Sequence, residues 1–149
     1  MTARTDLLFV YGTLMSVASG PLGQGERLRL RREGRSLGKA MVAGLMVDLG
    51  NYPGLVEPRS WSPAAVARST VVHGELLELT DPEQTFSWLD RYEGIVPGGG
   101  RACEYRRDVI DAVLASAPLR RREANAYIFQ GGMGRARIVA GGRWTTGAD

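Results

Sequence analysis

Two residue types that carry much of enzyme chemistry are almost missing from this chain. Its 149 residues include one cysteine, Cys103, and one histidine, His73. An internal disulfide, a cysteine-based zinc site and a histidine-rich metal site are therefore excluded. A Cys-His or Ser-His relay would have to use His73, and no G-x-S-x-G motif supplies a serine nucleophile. These counts remove several metal-dependent and covalent mechanisms at once.

Long apolar runs are also absent. No run approaches the roughly 18 residues that a membrane span requires. Residues 1–6 lead directly into a strand-like run and lack the apolar region and cleavage site of a signal peptide. We therefore expect a cytoplasmic protein without a membrane partner. A length of 149 residues with 44% hydrophobic content suits one domain over 1–149, with flexible ends at 1–6 and 145–149.

Lysine is just as scarce, because Lys39 is the only one, and arginine carries nearly all of the positive charge. Arginines cluster in residues 27–35 and 120–122, and the net charge is +3. Such clusters can bind the phosphate backbone of a nucleic acid, but no aromatic residues are interleaved on which bases could stack. A GC-rich coding bias also explains the arginines. We expect a solvated basic face and no nucleic-acid partner.

Short apolar runs that end at glycine or at turn-forming residues predict most of the secondary structure. The segment 26–35 fits a helix and a strand equally well, because its leucines alternate with arginines. Residues 48–54 read as a loop, and residues 60–69 as an exposed excursion. Strands are predicted at residues 7–11, 39–47, 71–79, 104–113 and 124–129.

One helix is clearly indicated, over residues 80–92. Thr80 and Glu83 fit a capping box, and Pro82 stands in the first turn, where its missing N–H has no cost. A buried stripe at helical spacing and a glycine stop complete the pattern: Phe86, Leu89, Tyr92 and Gly94. Several short strands with one helix predict an α+β domain whose sheet curls into a barrel or twists strongly.

Glu93 stands at the end of this helix, where a carboxylate is unfavourable. It meets the negative end of the helix dipole, a position at which lysine or arginine would be more stable. Apolar and aromatic neighbours would raise the pKa of such an acid toward the range that is useful for proton transfer. The local sequence is equally compatible with an exposed glutamate at a frayed helix end.

The loop Tyr11, Gly12, Thr13 and Leu14 directly follows the first predicted strand. A glycine at a strand end allows the backbone to turn and to present successive N–H groups to an anion. A substrate carboxylate is the obvious candidate, although an ordinary turn has the same sequence. Tyr52 and Tyr105 are further pocket candidates, because hydroxyl groups at strand and loop edges can orient a polar substrate. They are just as readily buried aromatics with satisfied hydroxyls.

A series of short motifs along the chain resembles, in its order, the gamma-glutamylcyclotransferase-like superfamily, especially its short bacterial branch. The resemblance runs from Leu8 to Trp144, and it rests on the order and spacing of the motifs. These are VYGTL (10–14), GKA (38–40), NYPGL (51–55), GELLEL (74–79), LDRYEG (89–94), EYRRDV (104–109) and AYIF (126–129).

This resemblance implies a small mixed β-barrel flanked by short helices. It implies that Glu93 is the catalytic carboxylate, and that backbone amides of the loop Tyr11–Leu14 bind the glutamyl part of a small-molecule substrate. Tyr52 and Tyr105 would complete the pocket.

The implied reaction is the cyclisation of a gamma-glutamyl group to 5-oxoproline, with release of an amine or amino acid. Because nucleophile and electrophile share one molecule, no cofactor and no metal is expected. The sequence leaves the gamma-glutamyl compound and the oligomeric state open. A non-catalytic module that binds or senses gamma-glutamyl compounds stays an alternative.

Overall fold

A closed five-stranded β-barrel forms the centre of the molecule. The computed structural model describes residues 5–12, 15, 23–50, 52–57, 70–131 and 137–144. Two α-helices lie in this part of the chain, α1 (Gln24–Glu33) and α2 (Pro82–Tyr92). The strands, in chain order, are β1 (Leu7–Val10), β2 (Gly34–Asp48), β3 (Pro53–Val56), β4 (Thr70–Leu79), β5 (Tyr105–Leu114), β6 (Ala117–Phe129) and β7 (Arg137–Ile138).

The barrel closes because β2 pairs with strands on both sides of the ring. The strand order is β2-β4-β1-β6-β5, and β5 returns to β2 through the pairs Ala40–Leu114 and Met41–Val113. β1 runs parallel to β6, and the other neighbours in the ring are antiparallel. β3 and β7 extend the sheet beside the end of β2. The structure thus confirms the small mixed β-barrel with flanking helices.

Strand β1 is buried on both faces, which explains its uninterrupted apolar sequence. Phe9 and Tyr11 pack into the cluster that the barrel strands form. Leu8 and Val10 point to the opposite side and pack with Leu89 of α2. Side chains of a strand alternate between its faces, so a strand that is covered on both sides needs apolar residues throughout.

Most of the arginine-rich segment forms helix α1, which decides between helix and strand, and its last two residues begin β2 at Gly34, earlier than the predicted strand. Leu30 is buried, whereas Leu28 is 49% exposed. Residues two positions apart point to nearly opposite sides of a helix, so the alternating leucines do not form a common face. The second cluster, residues 120–122, lies in β6, which begins at Ala117 and is longer than predicted.

The N-cap of helix α2 lies one residue later than predicted. Asp81 is the N-cap, because its Oδ1 accepts a hydrogen bond from the Gln84 N–H at 3.2 Å. The predicted capping box of Thr80 and Glu83 is therefore wrong. An aspartate carboxylate serves the free N–H groups of a first turn as well as a threonine hydroxyl does. Pro82 occupies the first turn, as predicted.

The buried face of α2 matches the predicted stripe in its first two turns only. Phe86 and Leu89 are buried, together with Thr85 and Trp88. Tyr92 is 39% exposed, so the prediction that it is buried is wrong. Tyr92 occupies the last residue of the helix, where the ring borders a cavity instead of the core.

Of two further predicted segments, one differs from the prediction and one lies outside the described residues. β3 begins at Pro53, inside the predicted loop 48–54, where Pro53 pairs with Asp48 and Gly54 pairs with Val47. Proline has no backbone N–H to donate to the sheet, and it is tolerated as the first residue of a strand because no donor is needed there. The predicted excursion at 60–69 lies outside the described residues.

Neither α1 nor α2, the α-helices of the described part, has the length and apolar character needed to cross a membrane.

Candidate active site

Glu93 directly follows α2 and ends the helix. Its N–H still donates to the carbonyl oxygen of Leu89, at 2.9 Å. Gly94 comes next with a φ of 80°, in the left-handed region that favours glycine. The chain therefore changes direction immediately after Glu93, and the glutamate side chain is left at the wall of a cavity.

The cavity lies at the end of the barrel where β1 finishes and β5 starts. Its volume is about 400 Å³, within the range of roughly 300–1,000 Å³ that is usual for small-molecule sites. Segments from distant parts of the chain build the wall. The lining residues are Phe9, Val10, Tyr11 and Gly12 from β1 and its end, Tyr52 and Pro53 before and in β3, Tyr92, Glu93 and Gly94 at the end of α2, and Glu104, Tyr105 and Tyr127 from the region of β5 and β6.

The electrostatic environment of Glu93 favours its protonated form. Burial, and to a smaller extent the negative charges of Asp90 and Glu104, together raise the pKa of Glu93 to about 7. Within the described residues, no arginine or lysine forms an ion pair with this carboxylate. An acid with a pKa near 7 can both accept and donate a proton at neutral pH, as a general acid–base catalyst must.

Two buried tyrosines hold the cavity wall together through hydrogen bonds to the main chain. The Tyr11 hydroxyl donates to the carbonyl oxygen of Tyr127 at 2.7 Å and accepts from the Leu55 N–H at 3.1 Å. The Tyr105 hydroxyl donates to the carbonyl oxygen of Pro53 at 2.7 Å. Burial, together with nearby negative charge, raises the pKa of both phenols far above the usual range, so they stay neutral.

Tyr52 and Glu104 form a polar pair at the cavity. The Tyr52 hydroxyl donates to Glu104 Oε1 at 2.9 Å, and the Tyr52 side chain is 37% exposed. This hydrogen bond and burial raise the pKa of Tyr52. In the described part of the chain, no three His, Cys, Asp or Glu side chains are grouped so that they could hold a metal ion. Among the residues that the structure describes, Glu93 and Glu104 are the two carboxylates in the cavity wall.

Gly12 is required by a close contact with β3. A Cβ atom added at Gly12 would lie 2.9 Å from Cγ of Pro53. The φ of Gly12 is not positive, so packing against the proline ring, and not the left-handed conformation, demands a glycine here. Gly12 therefore allows the end of β1 to pack closely against the start of β3 at the cavity wall.

The sequence model of one protein family matches nearly all of this chain. It is described as gamma-glutamyl cyclotransferase, AIG2-like, and it covers residues 8–146. The chain belongs to this family. A search of curated proteins finds no match.

Solved structures show that the fold is that of the cyclotransferase family. YkqA from Bacillus subtilis superposes with a TM-score of 0.61 at 17% identity, over 95% of this chain and 40% of YkqA. An AIG2-like protein from Mus musculus gives 0.60 at 18% identity, over 87% of this chain and 81% of the mouse chain. A gamma-glutamyl cyclotransferase gives 0.54 at 15% identity, over 91% and 70% of the two chains. The chain therefore spans less than half of the length of YkqA.

The structure brings most of the predicted site residues of this family member to one cavity. Glu93, Tyr11, Gly12, Tyr52 and Tyr105 all line it. The remaining two residues of the predicted loop, at positions 13 and 14, lie outside the described residues. The Tyr105 hydroxyl, which was predicted to orient a substrate, donates to the carbonyl oxygen of Pro53, and substrate binding by Tyr105 stays a prediction.

Sequence reasoning overlooked the acidic groups around Glu93. Glu104 lines the cavity at the start of β5. The negative charge of Asp90, one helical turn before Glu93, raises the pKa of Glu93. Asp90 and Glu93 are three residues apart and thus share one face of α2, which is a signal that the spacing contained. No such signal existed for Glu104, because its proximity depends on how β5 packs beside α2.

Proposed function

We propose that this chain is a cyclotransferase that converts a gamma-glutamyl group to 5-oxoproline and releases an amine or amino acid. One observation carries the proposal. A carboxyl group whose pKa is about 7, Glu93, lines a cavity of about 400 Å³ together with Gly12, at the end of β1. Family membership supports this reaction class.

The reaction moves two protons from the attacking nitrogen to the leaving nitrogen. Glu93 takes the first proton from the substrate α-ammonium group, and the resulting amine attacks the γ-carbonyl carbon. A C–N bond forms and closes the five-membered ring, and the bond between the γ-carbon and the leaving nitrogen then breaks. Glu93 returns its proton to the leaving nitrogen, and the second proton follows the same route. The products are 5-oxoproline and the released ammonium group, and Glu93 is again a carboxylate.

The contribution of the cavity is to hold the glutamyl chain in a ring-forming pose. Orientation of two groups of one molecule can lower a barrier by several kcal/mol without a covalent enzyme intermediate. The N–H groups of the loop formed by Gly12, Thr13 and Leu14 would bind the substrate α-carboxylate. The rings of Tyr52 and Tyr105 would border the glutamyl chain.

Release of 5-oxoproline from a panel of gamma-glutamyl compounds tests the function. The panel contains gamma-glutamyl amino acids and gamma-glutamylamines, and the product is quantified by mass spectrometry. We expect release from at least one compound, and a loss of at least about 100-fold in kcat for Glu93→Gln, because the amide can neither take nor return a proton. Glu83→Gln is the matched control, since Glu83 is an exposed residue of the same helix.

The outcomes separate the alternatives. Equal turnover by the wild type and Glu93→Gln would remove Glu93 from its role as the base. Absence of turnover on every compound, combined with saturable binding measured by calorimetry, would identify a non-catalytic binding module.

A further inference from the structure

Asp90 is clamped from two sides, one helical turn before Glu93. Its Oδ1 accepts a hydrogen bond from the Tyr127 hydroxyl at 2.6 Å and another from Arg107 Nε at 2.9 Å. Its Oδ2 accepts from Arg107 Nη2 at 3.3 Å. The carbonyl oxygen of Asp90 also accepts from the Ile95 N–H at 2.9 Å, across the turn that contains Glu93. Both the side chain and the main chain of Asp90 thus restrain the end of α2.

Arg107 is itself held in place by the barrel. Its guanidinium lies 4.0 Å above the ring centre of Phe86, and Nη1 donates to Asn125 Oδ1 at 3.3 Å. Asn125 is buried and donates to the carbonyl oxygen of Leu7 at 3.1 Å. The contacts therefore connect α2 with β5, β6 and β1, the elements that surround the cavity.

Several titratable groups face Glu93 from the packed elements. The negative charges of Asp90 on α2 and of Glu104 at the start of β5 raise the pKa of Glu93. Tyr11 at the end of β1, Tyr105 on β5 and Tyr127 on β6 stay neutral, because burial raises the pKa of each phenol. Tyr52 contacts Glu104. Asp90 is partly neutralised by the cation Arg107, whereas no arginine or lysine in the described part of the chain forms an ion pair with Glu104.

We propose that Asp90 is a positioning residue: held by Arg107 and Tyr127, it fixes the last turn of α2 so that the Glu93 carboxyl group stays in the cavity, and Arg107 sets how strongly the Asp90 charge acts on Glu93. The inference rests on the proposed function for the role of Glu93 as the base. The hydrogen bonds supply the geometry, and the pairing of opposite charges supplies the electrostatic control.

Two substitutions with opposite electrostatic effects test this inference. Asp90→Asn removes a negative charge near Glu93, and Arg107→Gln removes the cation that partly neutralises that charge. We expect the pKa of Glu93 to fall in the first variant and to rise in the second, each by about 0.5–1. The measurement is a carboxyl-detected NMR titration, in which the Glu93 signal is assigned by its loss in Glu93→Gln.

A second readout separates positioning from a general loss of stability. The acidic limb of the pH–rate profile should move in the same direction as the NMR pKa in each variant. Arg107→Lys keeps the charge but loses the two-point hydrogen bond, so it should lower kcat at least about threefold with little change in the position of the limb. Circular dichroism verifies that each variant is folded. If Asp90→Asn does not fold, the Arg107 variants decide alone: an Arg107→Gln variant without a rise in the Glu93 pKa would then overturn the proposal.

Shifts of the Glu93 pKa in the same direction in both charge variants, or no shift in either, would overturn the proposal. So would an Arg107→Lys variant with the wild-type kcat. The NMR titration needs no substrate. Opposite shifts without turnover of any compound by the wild type would therefore support the role of Asp90 while refuting the proposed enzymatic function.

Discussion

Glu93 shows how a single carboxyl group can be held away from its most stable environment. Burial, Asp90 and Glu104 together raise its pKa to about 7, against a usual value of 4.5. Such a shift means that the ionised form costs free energy in the folded protein. The residue is useful for proton transfer for the same reason that it is unfavourable for stability.

The thermodynamic cost of Glu93 is measurable. The pKa is higher in the folded than in the unfolded chain, so the stability associated with the neutral acid is fully present below about pH 4.5 and is lost as the pH rises through about 7. We therefore expect Glu93→Gln to be more stable than the wild type at pH 8, by roughly 1–3 kcal/mol. The difference should shrink toward pH 4.5. Urea unfolding at the two pH values measures it, and a variant that is less stable at pH 8 would contradict it.

At the scale of elements, the position of α2 depends on a contact with α1. Glu33, the last residue of α1, accepts hydrogen bonds from Thr85 Oγ1 at 2.7 Å and from Trp88 Nε1 at 3.0 Å. Arg29 Nε donates to the same carboxylate at 2.8 Å. Burial alone would raise the pKa of Glu33, but these hydrogen bonds outweigh burial and lower it. Helix α1 thus contributes a carboxylate that orients α2, the helix that ends at the candidate active site.

Substitution of Glu33 should weaken this connection. Glu33→Ala leaves the Thr85 hydroxyl and the Trp88 indole N–H without their acceptor, so we expect a loss of about 1–3 kcal/mol at pH 7. The pKa of Glu33 is lowered, so its contribution is present above the unfolded value of 4.5 and is lost as the pH falls through the folded value. Thermal unfolding at pH 7 and pH 3 should therefore show a smaller difference at pH 3.

The control for Glu33 is an ion pair on the surface. Arg35 contacts Glu78 at 2.7 Å, and its side chain is 73% exposed. Arg35→Ala should change the free energy of unfolding by less than about 1 kcal/mol. A Glu33→Ala variant that loses no more stability than this control would refute the coupling between the helices.

At the scale of the whole molecule, the cavity exists because the barrel brings distant segments to one end. The wall residues Tyr11, Pro53, Glu93 and Tyr127 come, in this order, from the end of β1, from β3, from the end of α2 and from β6. Two tyrosine hydroxyls bond to the main chain of neighbouring wall segments and keep these segments at fixed distances. The wall is therefore sensitive to any change in the spacing between β1 and β3.

Gly12→Ala tests this sensitivity. The added Cβ would approach the Pro53 ring to 2.9 Å, so the end of β1 and the start of β3 must move apart. We expect a destabilisation of about 1–3 kcal/mol and a higher KM, since the wall that faces the substrate shifts. Gly25→Ala in α1 is the control, because nothing lies within 4 Å of its added Cβ and alanine favours a helix. Unchanged stability and KM in Gly12→Ala would show that the contact with Pro53 does not set the wall.

The sequence predicts those features of this molecule that depend on residues close together along the chain. The buried β1, the helix over residues 82–92 and its glycine stop follow from local patterns, and so does the position of Glu93 at the end of that helix. The Asp81 cap was missed because neighbouring polar residues compete to bind the same free N–H groups. The exposure of Tyr92 was missed because helical spacing cannot show where the core ends and a cavity begins.

The sequence by itself determined the family, most of the strands and the position of Glu93 at the end of a helix, because each is encoded in short motifs and in their order along the chain. Only the tertiary structure decided which groups surround Glu93. Tyr127 lies far from it in sequence and reaches the cavity because β6 pairs with β1, and Glu104 lies beside the end of β6 because β5 pairs with β6. A pKa depends on charge and burial in space, so its causes become visible only when the barrel is closed.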